Sequence, residues 1–297
     1  MMQRRDGGWG RVLGMNARNL FVTSENPPEA IRTVNNKYET KAALTPVRVP
    51  VVPTITVLRD RWDLEFFDWN QLPAAWALKP NTGGQGQGIL LARDRAGDGW
   101  TTASGRVLSR PLITEHIRTI LDGEFSMEGN DQDWVLFEPL IMPHPEMAKL
   151  VPFGLPDIRV ICYHAQPILA MTRLPTKRSE GRANLHQGAV GAGIDLETGC
   201  VVRALAGREE VVKHPDTGDP LIGVTIPFWP TILEAAKKCG PACGLGYTGV
   251  DIVIDEQRGP LVIEVNARPG LEIQNVTGVG LMERIEALRA DVAQASV

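Results

Sequence analysis

Cysteine is scarce in this 297-residue chain: Cys162, Cys200, Cys239 and Cys243 are all it has. Their spacing matches no zinc pattern, and four thiols in so long a chain do not make a disulfide framework. Reduced, mostly buried cysteines are expected. No sign of charge is in excess either, with 31 Lys and Arg against 35 Asp and Glu. A net charge of -4 and a pI near 5.8 argue against nucleic acid or an anionic membrane as partner. No apolar run is long enough to span a bilayer. Residues 1–8 lack the apolar core of a signal peptide, so a cytoplasmic location is expected. There is no internal repeat and no low-complexity tract. What remains is a chain with 43% hydrophobic residues, enough for one large or two modest domains. A homo-oligomer stays open.

Two apolar, β-branched stretches, 249–254 and 261–266, carry most of the information. The segment Asp255-Glu256-Gln257-Arg258-Gly259-Pro260 between them is turn-rich and predicts an antiparallel hairpin. With Ile254 opposite Leu261, Asp251 falls opposite Glu264, and Glu264 and Asn266 share its face with Val253 and Val262. Two carboxylates so placed repel unless a cation lies between them. This all-oxygen donor set suits Mg²⁺ or Mn²⁺ carried in with substrate phosphates. Ala267-Arg268-Pro269-Gly270-Leu271 then breaks the strand, and strand ends are where sites tend to be built.

A second element is Lys79-Pro80-Asn81-Thr82-Gly83-Gly84-Gln85-Gly86-Gln87-Gly88. Its four glycines let backbone N–H groups approach a phosphate where a Cβ would block contact. The lysine precedes the glycines and a strand follows them. A P-loop needs the reverse order, and a dinucleotide fingerprint needs a helix there. Arginines form the third element: Arg159 lies two residues after Asp157, Arg173 ends the next strand, and 174–188 is a long basic segment. Guanidinium forks recognise phosphate and carboxylate oxygens.

The remaining chain predicts a helix over 27–44, carrying Lys37 and Lys41 on one face. Paired strands are predicted at 75–79 and 89–92, a partly helical stretch at 107–121 and a strand at 133–137. A hairpin follows from 157–163 and 166–173, turned by His164-Ala165, with helices at 230–238 and 282–290. Strands dominate the middle and helices punctuate them, which predicts an α+β architecture with largely antiparallel sheets.

Taken in order, these motifs resemble one superfamily. They are the lysine before the glycine loop, Glu138-Pro139-Leu140, Asp157-Ile158-Arg159, Met171-Thr172-Arg173, Arg182-Ala183-Asn184-Leu185-His186-Gln187-Gly188, Gly249-Val250-Asp251 and Glu264-Val265-Asn266. Over residues 36–281 they look like the ATP-grasp superfamily, most closely its RimK-type α-L-glutamate ligases and related proteins. His214-Pro215-Asp216-Thr217-Gly218 and Ile226-Pro227-Phe228-Trp229 also resemble the sugar-transfer-associated ATP-grasp proteins.

That resemblance implies an ATP-grasp fold, two antiparallel-sheet α+β subdomains enclosing ATP, with the usual pre-ATP domain largely missing. It divides the chain into a short N-terminal segment 1–52, an N-terminal subdomain 53–141 and a C-terminal subdomain 142–297. It implies a ligase that uses ATP and Mg²⁺ (or Mn²⁺) to join an anionic carboxylate substrate to an amine, an amino acid or peptide, through an acyl phosphate. By the same resemblance Lys79, Gly83, Gly84 and Gly86 hold phosphates, and Glu138, Pro139 and Leu140 meet adenine. Asp157 meets the ribose, with Glu146 as rival because 142–156 is an insertion, and Asn184 lies near the phosphates. Lys37 or Lys41 supplies a further lysine. Asp251, Glu264 and Asn266 match the metal ligands, and Arg159 and Arg173, with Arg182 or Arg268, orient the acceptor and offset charge. A phosphotransferase, a sugar-transfer-associated enzyme and a non-catalytic ATP-binding scaffold are the alternatives.

Overall fold

Alternation explains the first sheet. Trp76, Leu78 and Pro80 point inward along strand Trp76–Pro80, while Ala77 and Lys79 take the other face. In the computed structural model, which describes residues 12–84, 86–126, 129 and 131–295, this strand lies between Val135–Pro139 and Leu90–Ala92. Residues 1–8 and Gln85, both used in the sequence reading, lie outside the described residues. Thr56–Leu58 completes a four-stranded antiparallel sheet. The inward face packs Trp76, Leu78, Val135 and Phe137 with Trp100, Leu108 and the helix Arg110–Leu121. Ser109 starts that helix by accepting the Leu112 N–H, so the segment expected as partly helical is a two-residue strand, a cap and a helix.

The chain divides into two compact units. One is 35–42 with 51–142; the other, among the described residues, is 12–34, 43–50 and 143–295. Residues 12–52 therefore contribute to both. The expected helix over 27–44 is two helices, Pro28–Asn35 and Lys37–Leu44. Asn36 breaks it: its side chain accepts the Glu39 N–H at 2.9 Å, and the Lys37 N–H turns to the Asn81 carbonyl. The helix Met15–Glu25 was not anticipated. Only Val22 of it is buried and no side chain caps it, so no apolar stripe announces it.

The second unit is built on a seven-stranded antiparallel sheet. Its order is Glu209–Glu210, Val201–Ala206, Val190–Ile194, Gln166–Leu174, Asp157–Tyr163, Tyr247–Asp255, Gly259–Asn266. His164 and Ala165, at φ 43° and 65°, make the two-residue turn expected between Asp157–Tyr163 and Gln166–Leu174. The central strands Asp157–Tyr163 and Tyr247–Asp255 are buried along their whole length. Ile161, Tyr163, Met171 and Tyr247 pack with Ile273, Val276, Leu281 and Ile285 from the C-terminal helices. Any charge on the central strands is therefore out of water and needs a partner.

Candidate functional site

Those charges exist, and the register lines them up. Asp157 pairs with Arg173, Arg159 with Asp251, and Asp251 with Glu264, so the groups form one stripe across four strands. Asp251 is the hub. Its carboxylate accepts Arg159 Nε at 2.7 Å, Arg159 Nη2 at 2.6 Å, Arg173 Nη2 at 2.9 Å and Asn266 Nδ2 at 3.3 Å. Arg173 also grips Asp157 through Nε at 2.6 Å and through Nη2. Both guanidiniums are thus committed along one edge, leaving each Nη1 outside these bonds. Arg159 Nη1 faces Gly270, at 3.7 Å from where a Cβ would stand.

The two acids respond differently to burial. Desolvation drives Asp157 up to about 6, helped by the negative Asp251 and opposed by Arg173. Burial also works against the Asp251 charge, yet Arg159 and Arg173 together outweigh it and hold that carboxyl below its usual range. Desolvation likewise opposes the Arg173 charge, and Asp157 and Asp251 overcome it and raise that guanidinium.

The pairing of Asp251 with Glu264 is reached by a different register from the one expected. Ile254 pairs with Pro260 and Val253 with Leu261, and a bulge beside Ile252 then restores Asp251 opposite Glu264. Val262 consequently pairs with Ile252 and leaves the carboxylate face, where Leu261 joins Val253 instead. The hairpin end is held by Asp255, which accepts the Gln257 and Arg258 N–H groups, and by Gly259 at φ 72°.

Among the described residues no three His, Cys, Asp or Glu side chains are placed to hold a metal. The donor set here is two carboxylates and an amide. Asp251 Oδ2 takes three hydrogen bonds but Oδ1 only one, which leaves it a lone pair. Glu264 is half-buried with no hydrogen bond or ion pair to another described residue. With Nδ2 turned to Asp251, Asn266 keeps its side-chain oxygen for a cation. These donors fit a hard divalent ion that retains water or phosphate ligands.

In the other unit the sheet register makes a second cluster. Lys79 sits opposite Leu136 and Ala77 opposite Glu138, so Lys79 and Glu138 are diagonal neighbours on one face. Glu138 is 1% exposed, and each of its oxygens takes a lysine, Lys41 on one side and Lys79 on the other. Burial alone would raise Glu138, but the two ammonium groups hold it low; burial lowers Lys41 despite that partner. Lys37 goes elsewhere, to the carbonyls of Asn81 and Gly83. Pro139 ends the strand and Leu140 follows it.

The glycine loop is clamped at its base. Both Asp133 oxygens accept the Thr82 N–H at 3.1 Å, and Asn81 accepts the Tyr38 N–H at 2.9 Å. A Cβ on Gly83 would lie 2.5 Å from the Pro80 ring; Gly86 and Gly88 have φ of 74° and 71°. The Gly84 carbonyl accepts the Gln87 N–H within the turn. Neither Lys41 as the ion-pair partner nor Asp133 as the clamp was singled out from sequence. A polar residue flanking an apolar strand was the one available signal for Asp133.

The other expected residues are scattered. Asn184 caps the short turn Leu185–Gln187 by accepting the His186 N–H at 3.0 Å. Arg182 is exposed and reaches Gln187 at 3.4 Å, and Arg268 is exposed. Glu146 is on the surface, paired with Lys149, whereas Asp157 is 5% exposed.

Residues 16–290 match the family described as sugar-transfer associated ATP-grasp. The chain belongs to that family. An ATP-bound D-alanine–D-alanine ligase from Bacillus anthracis shares this ATP-grasp fold, with a TM-score of 0.50 at 15% identity over 95% of this chain and 71% of that one. A Rhizobium etli pyruvate carboxylase does so too, with a TM-score of 0.51 at 18% identity over 86% of this chain and 18% of its own. A probable α-L-glutamate ligase from Citrobacter koseri is 31% identical over 130 residues, 43% of this chain and 32% of that protein. The ribosomal protein bS6–L-glutamate ligase of Salmonella paratyphi B matches to the same extent. This ATP-grasp chain thus spans about a third of the length of the curated relatives it matches. No helix among the described residues is long and apolar enough to cross a membrane.

Proposed function

We propose that this ATP-grasp protein is an ATP- and Mg²⁺-dependent ligase that joins a carboxylate to an amine. The charged stripe Arg173–Asp157–Arg159–Asp251–Glu264 is the observation that carries the reading. Buried charges in this number cost stability, and an apolar replacement would pack at least as well. Their presence is understandable if the stripe presents oxygen donors in a fixed geometry.

Lys79 and the amides of the glycine loop bind the nucleotide phosphates, with Lys41 and Glu138 fixing the Lys79 side chain. Lys37 closes the base of the loop. Glu138, Pro139 and Leu140 lie along the adenine, Asp157 beside the ribose, and Asn184 near the phosphates. Asp251, Glu264 and Asn266 hold Mg²⁺. When bound, the ion offsets the negative charge of the phosphate oxygens. Arg159 and Arg173 hold Asp251 along one edge and offer Nη1 to the acceptor, with Arg182 or Arg268 completing the anion site. The acceptor carboxylate takes the γ-phosphoryl group, giving an acyl phosphate and ADP. The amine then attacks the acyl carbon, loses a proton and expels phosphate. Glutamate is one amine donor of the expected kind.

Purified protein incubated with ATP, Mg²⁺ and amino-acid mixtures should release ADP and phosphate and yield an amide seen by mass spectrometry. Asp251→Asn should lower turnover by about a hundredfold, as for loss of one positioned charge. Absence of ADP with every acceptor, together with unchanged Mg²⁺–ATP binding by Asp251→Asn, would refute the reading. The family's sugar-transfer association supports a second one, phosphoryl transfer to a hydroxyl or sugar. In that case the phosphate is found on the acceptor and no amide forms.

A further inference from the structure

The motif His214-Pro215-Asp216-Thr217-Gly218 has no part in the chemistry above, yet it is built into the same unit with unusual care. His214 is 1% exposed. Its backbone is fixed by the His214 N–H to Asp219 and by the Gly218 N–H returning to His214, both at 2.9 Å. Its ring is used at both ends. Nδ1 accepts the Asp216 N–H at 3.3 Å, so Nε2 carries the proton and donates to the Pro175 carbonyl at 3.0 Å. Asp216 then accepts the Lys177 N–H at 2.7 Å. Two residues of one excursion therefore grip two successive points of another, where the basic segment begins.

That segment is otherwise braced from within. Thr176 and Ser179, both buried, exchange hydrogen bonds, and Thr176 Oγ1 donates to the Gly188 carbonyl at 2.9 Å, closing the segment's two ends. At its tip Gly181, at φ 78°, lies so close to Gly154 that a Cβ on Gly154 would stand 2.3 Å from the Gly181 carbonyl oxygen. The side chains it displays outward are Lys177, Arg178, Glu180, Arg182 and His186, four basic groups against one acid.

We propose that His214 and Asp216 are positioning residues: they hold segment 175–188 in place so that Arg182 and Asn184 meet a polyphosphate, an inference that rests on the ATP-dependent reading above.

The ring's two nitrogens separate the possibilities. In His214→Asn the amide oxygen stands where Nδ1 was and keeps the Asp216 N–H, but the Pro175 bond is lost. In His214→Gln an amide nitrogen reaches the place of Nε2 and restores that bond. Limited trypsin digestion of the folded full-length protein reads the grip through cleavage after Lys177, Arg178 and Arg182. His214→Asn and Asp216→Ala should be nicked roughly tenfold faster than wild type, the effect of about one buried hydrogen bond on local opening, and His214→Gln at the wild-type rate. Calorimetric titration should show His214→Asn binding Mg²⁺–ATP roughly tenfold more weakly while adenosine binding is unchanged.

Equal nicking of wild type, His214→Asn and Asp216→Ala overturns the grip. Equally fast nicking of His214→Gln overturns the hydrogen-bond account. Unchanged Mg²⁺–ATP affinity in a variant that is nicked faster overturns the positioning role. A wild type that binds no Mg²⁺–ATP overturns the ligase reading and the polyphosphate half, while trypsin still decides the grip. Asp216→Ala, at a half-exposed side chain, serves where His214→Asn does not fold.

Discussion

Replacing Arg173 by Met tests whether the stripe is one electrostatic unit. The substitution keeps most of the side-chain volume and removes the guanidinium that joins Asp157 to Asp251. Asp157, only 5% exposed, loses its ion pair, while Asp251 keeps Arg159. Breaking a buried pair by deleting one partner costs about 3–5 kcal/mol. With a urea slope of about 2 kcal/mol per molar, the unfolding midpoint should fall by about 1.5–2.5 M. The cost must depend on pH. Burial pushes the native Asp157 carboxyl up to about 6, above its ordinary value, so its native proton stabilises at low pH and that contribution is lost as pH rises through this value. An unpaired Asp157 holds its proton more firmly still. Arg173→Met should therefore cost most above pH 7 and much less at pH 5. The double variant Arg173→Met/Asp157→Leu should recover most of the lost midpoint. A single-variant shift below about 0.5 M, or an identical shift at pH 5 and pH 8, would refute the coupling.

Two further outcomes follow from the geometry. Gly83→Ala places a Cβ 2.5 Å from the Pro80 ring, so the loop must move; Mg²⁺–ATP binding by calorimetry should weaken about tenfold with little change in melting temperature. Burial pushes the Cys162 thiol up to about 12 and Cys243 to about 11, and raises Cys239 as well. Titration of the native protein with Ellman's reagent should find Cys200 alone reacting fast, with the other three reacting only in denaturant; rapid reaction of all four would contradict the fold around Cys162.

The stripe was partly legible because strand alternation is a local rule. Asp251, Glu264 and Asn266 could be assigned to one face from the sequence between two turn signals. The bulge could not, since an extra residue in one strand leaves no composition signal, and the expected pairing of Ile254 with Leu261 was off by one. The correct facing of Asp251 and Glu264 came from two compensating shifts. The same limit applies to Lys41. Helix spacing puts Lys37 and Lys41 on one side, but only the position of Lys37–Leu44 against the sheet decides which lysine reaches Glu138. Where partners lie one hundred residues apart, as Arg159 and Asp251 nearly do, neither spacing nor propensity carries the contact.

The charge balance of the stripe gives the functional argument its force. Two guanidiniums face three carboxylates, and the unmatched one is Glu264, at the edge strand rather than in the centre. Asp157 and Asp251 are already neutralised by arginine, so on the proposed reading a cation arriving with phosphates would meet one free carboxylate, one amide oxygen and one remaining lone pair on Asp251. A set that weak would not hold a resident metal without substrate, so the proposed Mg²⁺ would keep waters and bind through phosphates. Glu264→Gln should consequently raise the Mg²⁺ concentration needed for ATP binding by about tenfold while leaving the urea midpoint within about 0.3 M, because Glu264 supports no other described residue. Loss of stability comparable to Arg173→Met would place Glu264 inside the structural network and remove it from the proposed metal ligands.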